Sequence, residues 1–118
     1  MATKKQGTQG RRWCWTLNNY TAEEEASIQK AAEDVKVRYI IYGKEIAPET
    51  KTPHLQGYTE FSSAVRITQI KTLFATDRIH LEICKGSSAD NIKYCRKENN
   101  FWEHGTAAKN QNEKYEAL

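Results

Sequence analysis

His54 and Gln56 place an imidazole and an amide two residues apart, and Tyr94 and Lys97 place a phenol and an ammonium three apart. The first pair can hold a cation; the second can attack a phosphate. From Thr52-Pro53 the chain enters a strand pattern, His-Leu-Gln-Gly-Tyr-Thr-Glu-Phe, ending at Ser62 and Ser63. Side chains alternate along a strand, so His54 and Gln56 share a face, about 7 Å apart along the backbone, while Leu55 points into the core. Two ligands rarely suffice. A third, Glu45, stands at the end of the strand pattern Val37 to Gly43. A loop from Ala47 to Thr52 makes the two strands antiparallel neighbours and brings Glu45 beside His54 and Gln56. Carboxylate, amide oxygen and imidazole form a mostly oxygen site, which favours Mg²⁺ or Mn²⁺ over zinc. Taken alone, a His-x-Gln is more often two half-exposed strand residues with no metal between them.

Ser87-Ser88-Ala89-Asp90 is a helix-start signal for a short helix reaching about Glu98. Ile92 and Cys95 face its core side, and Tyr94 and Lys97 share a neighbouring face. A phenol with a reference pKa near 10 is only about 0.1 % ionised at neutral pH. An attacking tyrosine therefore needs help, here from the charge of Lys97 and from a metal that polarises the phosphate. Taken alone, Tyr94 is more often an ordinary helix-surface tyrosine.

The elements that must position these groups follow in order. Arg11 to Leu17 is a first strand, broken by Asn18-Asn19. Thr21 to about Glu33 is a helix with Thr21 and Glu24 as a capping box. Val35 to Tyr42 and His54 to Phe61 are strands, and Arg66 to Phe74 is a helix with Ile67, Ile70, Leu73 and Phe74 on one face. Arg78 to Lys85 is a fourth strand, with Ile79, Leu81 and Ile83 alternating against His80, Glu82 and Cys84. The nucleophile helix spans Asp90 to Glu98, and Phe101 to Glu103 is a short edge strand. This β-α-β-β-α-β order predicts an α+β, ferredoxin-like or RRM-like antiparallel sheet, with helices packed on one face, the metal site on the open face, and an added nucleophile-bearing helix.

The 118 residues make one domain with room for a core. No apolar run reaches membrane length and no signal-peptide segment is present. Cys14, Cys84 and Cys95 show no zinc spacing and read as buried thiols of a reducing compartment. The net charge of +3 is undiagnostic. Its distribution says more: Lys4, Lys5, Arg11 and Arg12 stand without an acid, and Lys85, Lys93, Arg96 and Lys97 surround the proposed nucleophile. Glu23, Glu24, Glu25, Glu33 and Asp34 load the first helix, which is expected on the far side. Basic clusters steer polyanions, though such charges commonly only solvate helix faces. Residues 1–10 read as a flexible basic arm and residues 107–118 as a tail or the start of a linker.

The motifs as a set resemble the N-terminal endonuclease domain of the rolling-circle replication initiators (Rep proteins) of circular single-stranded DNA viruses, HUH endonucleases of the circovirus-like branch. Trp13-Cys14-Trp15-Thr16-Leu17-Asn18-Asn19 is similar to the family's first motif. Pro53-His54-Leu55-Gln56-Gly57 is similar to its second, and Tyr94-Cys95-Arg96-Lys97-Glu98 to its third. Glu45, in a Gly-x-Glu context, resembles the family's carboxylate ligand. The likeness covers about Arg11 to Trp102, within an endonuclease domain placed at 11–106. It implies that Glu45, His54 and Gln56 hold one Mg²⁺ or Mn²⁺. It also implies that Tyr94, assisted by Lys97, attacks a phosphate at a stem-loop origin. A 5′-phosphotyrosine and a free 3′-hydroxyl would result, and the same tyrosine would later rejoin the strand. Trp15, Thr16, Asn18 and Asn19 would then touch origin DNA, with Arg11 and Arg12 beside them. Gln56 stands where many HUH relatives have a second histidine, Trp15 where Phe is common, and one tyrosine serves both steps.

The resemblance further implies host-nuclear residence and a following helicase domain through which a longer protein oligomerises. No nucleotide-binding P-loop occurs here, so this chain is expected to be a monomeric piece of such a protein. The alternative is a non-catalytic RRM-like module that binds single-stranded nucleic acid on an aromatic platform around Tyr58 and Phe61. A bare interaction domain working through its acidic helix is a third reading. His80 and Glu82 share a strand face and border the cleft or solvent.

Overall fold

The computed structural model describes residues 8–108. Within them the chain forms β1 (Gly10–Asn18), α1 (Ala22–Ala31), β2 (Val37–Ile46), β3 (Pro53–Val65), α2 (Ile67–Phe74), β4 (His80–Ile83), α3 (Ser88–Cys95) and β5 (Phe101–Gly105). The arm ascribed to residues 1–10 lies outside the described residues up to residue 7, as does the tail from residue 109 onward. The strands make one antiparallel sheet in the order β4-β1-β3-β2-β5, an α+β fold of ferredoxin-like arrangement with a fifth strand added at the β2 edge.

Local chemistry sets the element ends. Thr21 accepts from the Glu24 amide at 3.0 Å while the Glu24 carboxylate accepts from the Thr21 amide at 2.9 Å, the expected reciprocal cap of α1. The Ser87 hydroxyl caps α3 through the Asp90 amide at 3.0 Å. Ala75, with a φ of 60°, turns the chain out of α2 in the left-handed conformation common at helix C-termini.

One sheet face is fully covered. Trp13, Trp15 and Leu17 of β1, Ile40 and Tyr42 of β2, and Leu55 and Phe61 of β3 bury there against Ile28 of α1 and Ile70 and Phe74 of α2. Phe74 is fully buried, its ring edge-on to Trp15 with centroids 5.7 Å apart; cutting such a side chain to alanine costs about 3–5 kcal/mol. The acidic helix α1 therefore lies on the face opposite the proposed nucleophile, as its charge suggested. α3 takes the other face, where Ile92 and Cys95 meet Tyr39, Ile41, Tyr58 and Cys84.

Several boundaries differ from the sequence reading. β2 runs on to Ile46, past the expected end at Tyr42, and sets Glu45 directly opposite His54 within the sheet. β3 continues through Ser62 and Ser63, supported by the Ser62 amide and hydroxyl bonding to the Lys36 carbonyl. β4 is shorter than expected, and Ile83, at the end of this edge strand, is 42 % exposed. α3 stops at Cys95, leaving Lys97 in the following turn, where its amide still bonds to the Tyr94 carbonyl. The expectation of three thiols fails for two: Cys14 and Cys84 are joined as a disulfide with Cα atoms 5.1 Å apart, and Cys95 alone is free and buried. The β1–β4 register creates that pair from residues 70 apart in sequence.

Candidate active site

Alternation in three adjacent strands delivers the candidate ligands to the α3 face. The β2–β3 register sets Glu45 opposite His54 and Gly43 opposite Gln56; the β1–β3 register sets Asn18 opposite His54 and Thr16 opposite Gln56. Two rows result across the sheet, Asn18-His54-Glu45 and Thr16-Gln56-Gly43. In the first, His54 Nε2 and Glu45 Oε1 stand 3.1 Å apart, both side chains mostly shielded from solvent. In the second, the Thr16 hydroxyl reaches Gln56 Oε1 at 3.4 Å and the Gln56 amide nitrogen lies 3.5 Å from the Trp15 carbonyl.

The donor set fits a hard divalent cation. Neighbouring ligands of an octahedral ion with bonds of about 2.1 Å lie about 3.0 Å apart. The His54–Glu45 spacing matches that without rearrangement. Among the described residues no three His, Cys, Asp or Glu side chains cluster as a ligand set; Gln56, on the same face of β3 two residues after His54, would be the third donor. A neutral third ligand leaves one protein anion in the set, which suits an ion that completes its shell with water and phosphate oxygens.

α3 and the turn after it bring the other half of the site. Lys97 Nζ pairs with Glu45 Oε2, the carboxylate oxygen that His54 does not touch. The same ammonium sits 3.8 Å from the centroid of the Tyr94 ring. Tyr94, Lys97, Glu45 and His54 are thus a contiguous set although they span residues 45 to 97. Tyr94 is 52 % exposed, open to a strand arriving from solvent. Tyr39, Tyr42 and Tyr58 are buried. Burial and a carboxylate partner push the phenols of Tyr39 (Glu103) and Tyr42 (Glu25) up, and that of Tyr58 (Glu60) to about 12. Burial pushes the Cys95 thiol to about 12, so it is not a competing nucleophile.

α3 is moored at both ends. At its start the Ser88 hydroxyl and the Tyr58 hydroxyl each donate to Glu60 Oε2 at 2.6 Å, and the Ala108 amide donates to Glu60 Oε1 at 2.8 Å. At its end the Cys95 carbonyl lies over Gly43, so close that a Cβ there would overlap it. Sequence reasoning gave neither Glu60 nor Gly43 a part. Glu60 shares the strand face of His54 and Gln56, and the helix crossing that face makes it a buried anchor. The Gly43-x-Glu45 spacing was the available signal for the second mooring.

The expected DNA-contact residues divide. Asn18 and Asn19 are exposed at the end of β1, and their carbonyls accept from Arg78 at 3.1 Å each. Thr16 is half-buried beside Gln56, Arg11 is exposed and Arg12 half-buried. Trp15 requires correction: it is 1 % exposed on the opposite face, its indole N–H donating to the Thr59 hydroxyl at 3.0 Å, and it offers DNA no surface. The alternation that turns Thr16 outward turns Trp15 inward. His80 and Glu82 stand on the site face, paired with each other at 2.9 Å and largely exposed.

Comparison with known proteins agrees with the family resemblance. Residues 10–98 match the viral replication protein family. The replication-associated protein of canary circovirus is 48 % identical over 89 residues, covering 75 % of this chain and 29 % of that protein. Those of beak and feather disease virus and porcine circovirus 1 are 46 % and 36 % identical, over 80 % and 94 % of this chain and 31 % and 35 % of their own. The chain spans about a third of the length of the curated relatives it matches.

Proposed function

Because this chain belongs to the viral replication protein family, we propose that it is the endonuclease unit of a replication initiator, one that nicks and rejoins single-stranded DNA through Tyr94. The observation that carries the proposal is the continuity of Tyr94, Lys97, Glu45 and His54, with the phenol open to solvent and the ligands shielded.

Glu45, His54 and Gln56 would hold Mg²⁺ or Mn²⁺, which supplies charge to polarise and orient the scissile phosphate. The protein's own contribution is placement. The strand rows fix the ligands, and the two moorings of α3 hold Tyr94 within reach of the same phosphate. In cleavage the phenol releases its proton to solvent and Oη bonds to phosphorus. The P–O3′ bond breaks and its oxygen takes up a proton, leaving a 5′-phosphotyrosine and a 3′-hydroxyl. Rejoining reverses the exchange with another 3′-hydroxyl. Lys97 stabilises negative charge as it grows on the phenolate and phosphate. Thr16, Asn18, Asn19, Arg11 and Arg12 border the ligand rows or the start of β1, and we assign them to the DNA strand. Origin recognition at a stem-loop, host-nuclear residence, monomeric behaviour of this unit and oligomerisation of a longer protein through a helicase domain belong to the same proposal.

The alternative RRM-like platform loses its aromatic surface. Tyr58 is fully buried beneath α3, and Phe61, at 2 % exposure, faces the core. The deciding experiment incubates the protein with labelled single-stranded DNA carrying a stem-loop origin and Mn²⁺. A covalent adduct that survives denaturing electrophoresis is expected, and Tyr94→Phe should abolish it while leaving DNA binding in place. An undiminished adduct in the variant would move the nucleophile elsewhere; no adduct from the unaltered protein with any such DNA would end the endonuclease reading.

A further inference from the structure

At the opposite end of β3 from His54, Arg11, Arg12 and Arg38 line a cavity of about 200 Å³ bordered by Glu60, Phe61 and Ala108. Register explains the gathering: Arg12 of β1 and Tyr39 of β2, the neighbour of Arg38, both pair with Glu60. Two arginines elsewhere are ion-paired, Arg78 with Glu24 and Arg96 with Glu103. Arg11, Arg12 and Arg38 make no ion pair among the described residues. The one carboxylate at the cavity, Glu60, is 2 % exposed, with both oxygens already engaged by Tyr58, Ser88 and the Ala108 amide. Three arginines against one internally satisfied carboxylate give the residues around this cavity an excess of two positive charges. Guanidinium forks match the oxygens of a phosphate better than any other common anion except a carboxylate.

The geometry points to a second phosphate subsite here, in which Arg38 with Arg11 and Arg12 holds a backbone phosphodiester of the DNA strand whose scissile phosphate lies at Tyr94. This rests on the endonuclease reading above and extends it by a residue and a place. A phosphate is favoured over a base because the cavity offers no ring to stack on; Phe61 is its one aromatic and is buried. Glu60 lies six residues from His54 along β3, about 20 Å. With phosphates spaced about 3.4 Å along one strand of B-form DNA, some six of them separate the two places, and fewer in an extended strand. The subsite would tether the strand outside the reacting bond, so that its grip contributes affinity and register.

The test measures binding of the full chain to a fluorescent single-stranded 20-nucleotide oligonucleotide by anisotropy across a salt series, for the unaltered protein, Arg38→Ala and Arg38→Lys. For single strands the logarithmic salt slope falls by about 0.7 for each phosphate that the protein no longer neutralises. Arg38→Ala should weaken binding several-fold and flatten the slope by about that amount. Arg38→Lys should keep the slope and lose part of the affinity, because it retains the charge without the fork. Thermal melting monitors folding; Arg38 is exposed, so the melting temperature should hold. Unchanged affinity and slope in folded Arg38→Ala would overturn the subsite. The adduct assay separates the two proposals: an adduct with an indifferent Arg38 overturns only the subsite. A flattened slope with no adduct keeps the phosphate subsite and overturns the endonuclease reading.

Discussion

Gly43→Ala isolates positioning from chemistry. Gly43 is no ligand and no nucleophile, yet the site depends on it having no side chain. A Cβ there would stand 3.3 Å from the Cys95 carbonyl carbon, 3.7 Å from the Asn100 carbonyl oxygen, and far inside 3.0 Å of the Cys95 carbonyl oxygen. The obstacle is backbone, so it cannot swing aside as a flexible side chain would. The end of α3 must lift by roughly 1 Å, at an overpacking cost of about 1–3 kcal/mol. Tyr94 immediately precedes Cys95 and Lys97 follows two residues later, so both move with it. A displacement of about 1 Å at a reacting group can cost on the order of 100-fold in rate, or about 2.7 kcal/mol of barrier. The assay is single-turnover adduct formation under saturating metal and DNA, at a temperature where denaturant titration shows both proteins folded. Ile70→Ala is the control. It hollows the opposite face at a cost of about 2–5 kcal/mol and leaves the α3 face untouched. We expect Gly43→Ala to form adduct tens to a hundred times more slowly and Ile70→Ala at the original rate once the folded fraction is matched. A folded Gly43→Ala protein with unaltered kinetics would refute the mooring argument.

His54→Ala should lower Mn²⁺ affinity by at least ten-fold in a calorimetric titration and slow adduct formation, since it removes the nitrogen donor beside Glu45. Glu60→Ala should lower stability in urea by about 2–4 kcal/mol, because two hydroxyls and one amide lose their shared acceptor. The Glu24 carboxyl is held down at about 2, from an ordinary 4.5, first by its hydrogen bonds from Arg78. A depressed folded-state value means stability present above the ordinary range and lost as pH falls toward 2. The unaltered protein should therefore lose stability between about pH 4.5 and 2, and Arg78→Ala should show a shallower loss across that window in acid titrations followed by circular dichroism.

Much of this was legible in the chain because local rules and tertiary structure agreed. Thr21 with Glu24 marked the start of α1, and the His54-Leu55-Gln56 alternation put two donors outward and one leucine inward. The motif spacing anticipated that Tyr94 and Lys97 would share a face, and they do, although the helix ends between them. What stayed hidden depended on register. Cys14 and Cys84 become a pair only once β1 lies beside β4. Glu60 becomes an anchor only once α3 crosses β3 and Ala108 returns to it. Trp15 is the instructive miss, since the alternation Trp13, Trp15, Leu17 already pointed it inward while the motif pointed it to DNA.

The division between β3 and α3 has a kinetic consequence. β3 is paired along both edges, whereas α3 has eight residues and is too short to persist unaided. Amide exchange should therefore reach the α3 amides well before those of Leu55 to Tyr58, through openings that release the helix and spare the sheet. If Tyr94 captures a strand end, as proposed above, it could travel with that end on the released helix, while Glu45, His54 and Gln56 keep their places on the paired strands for the next end to arrive.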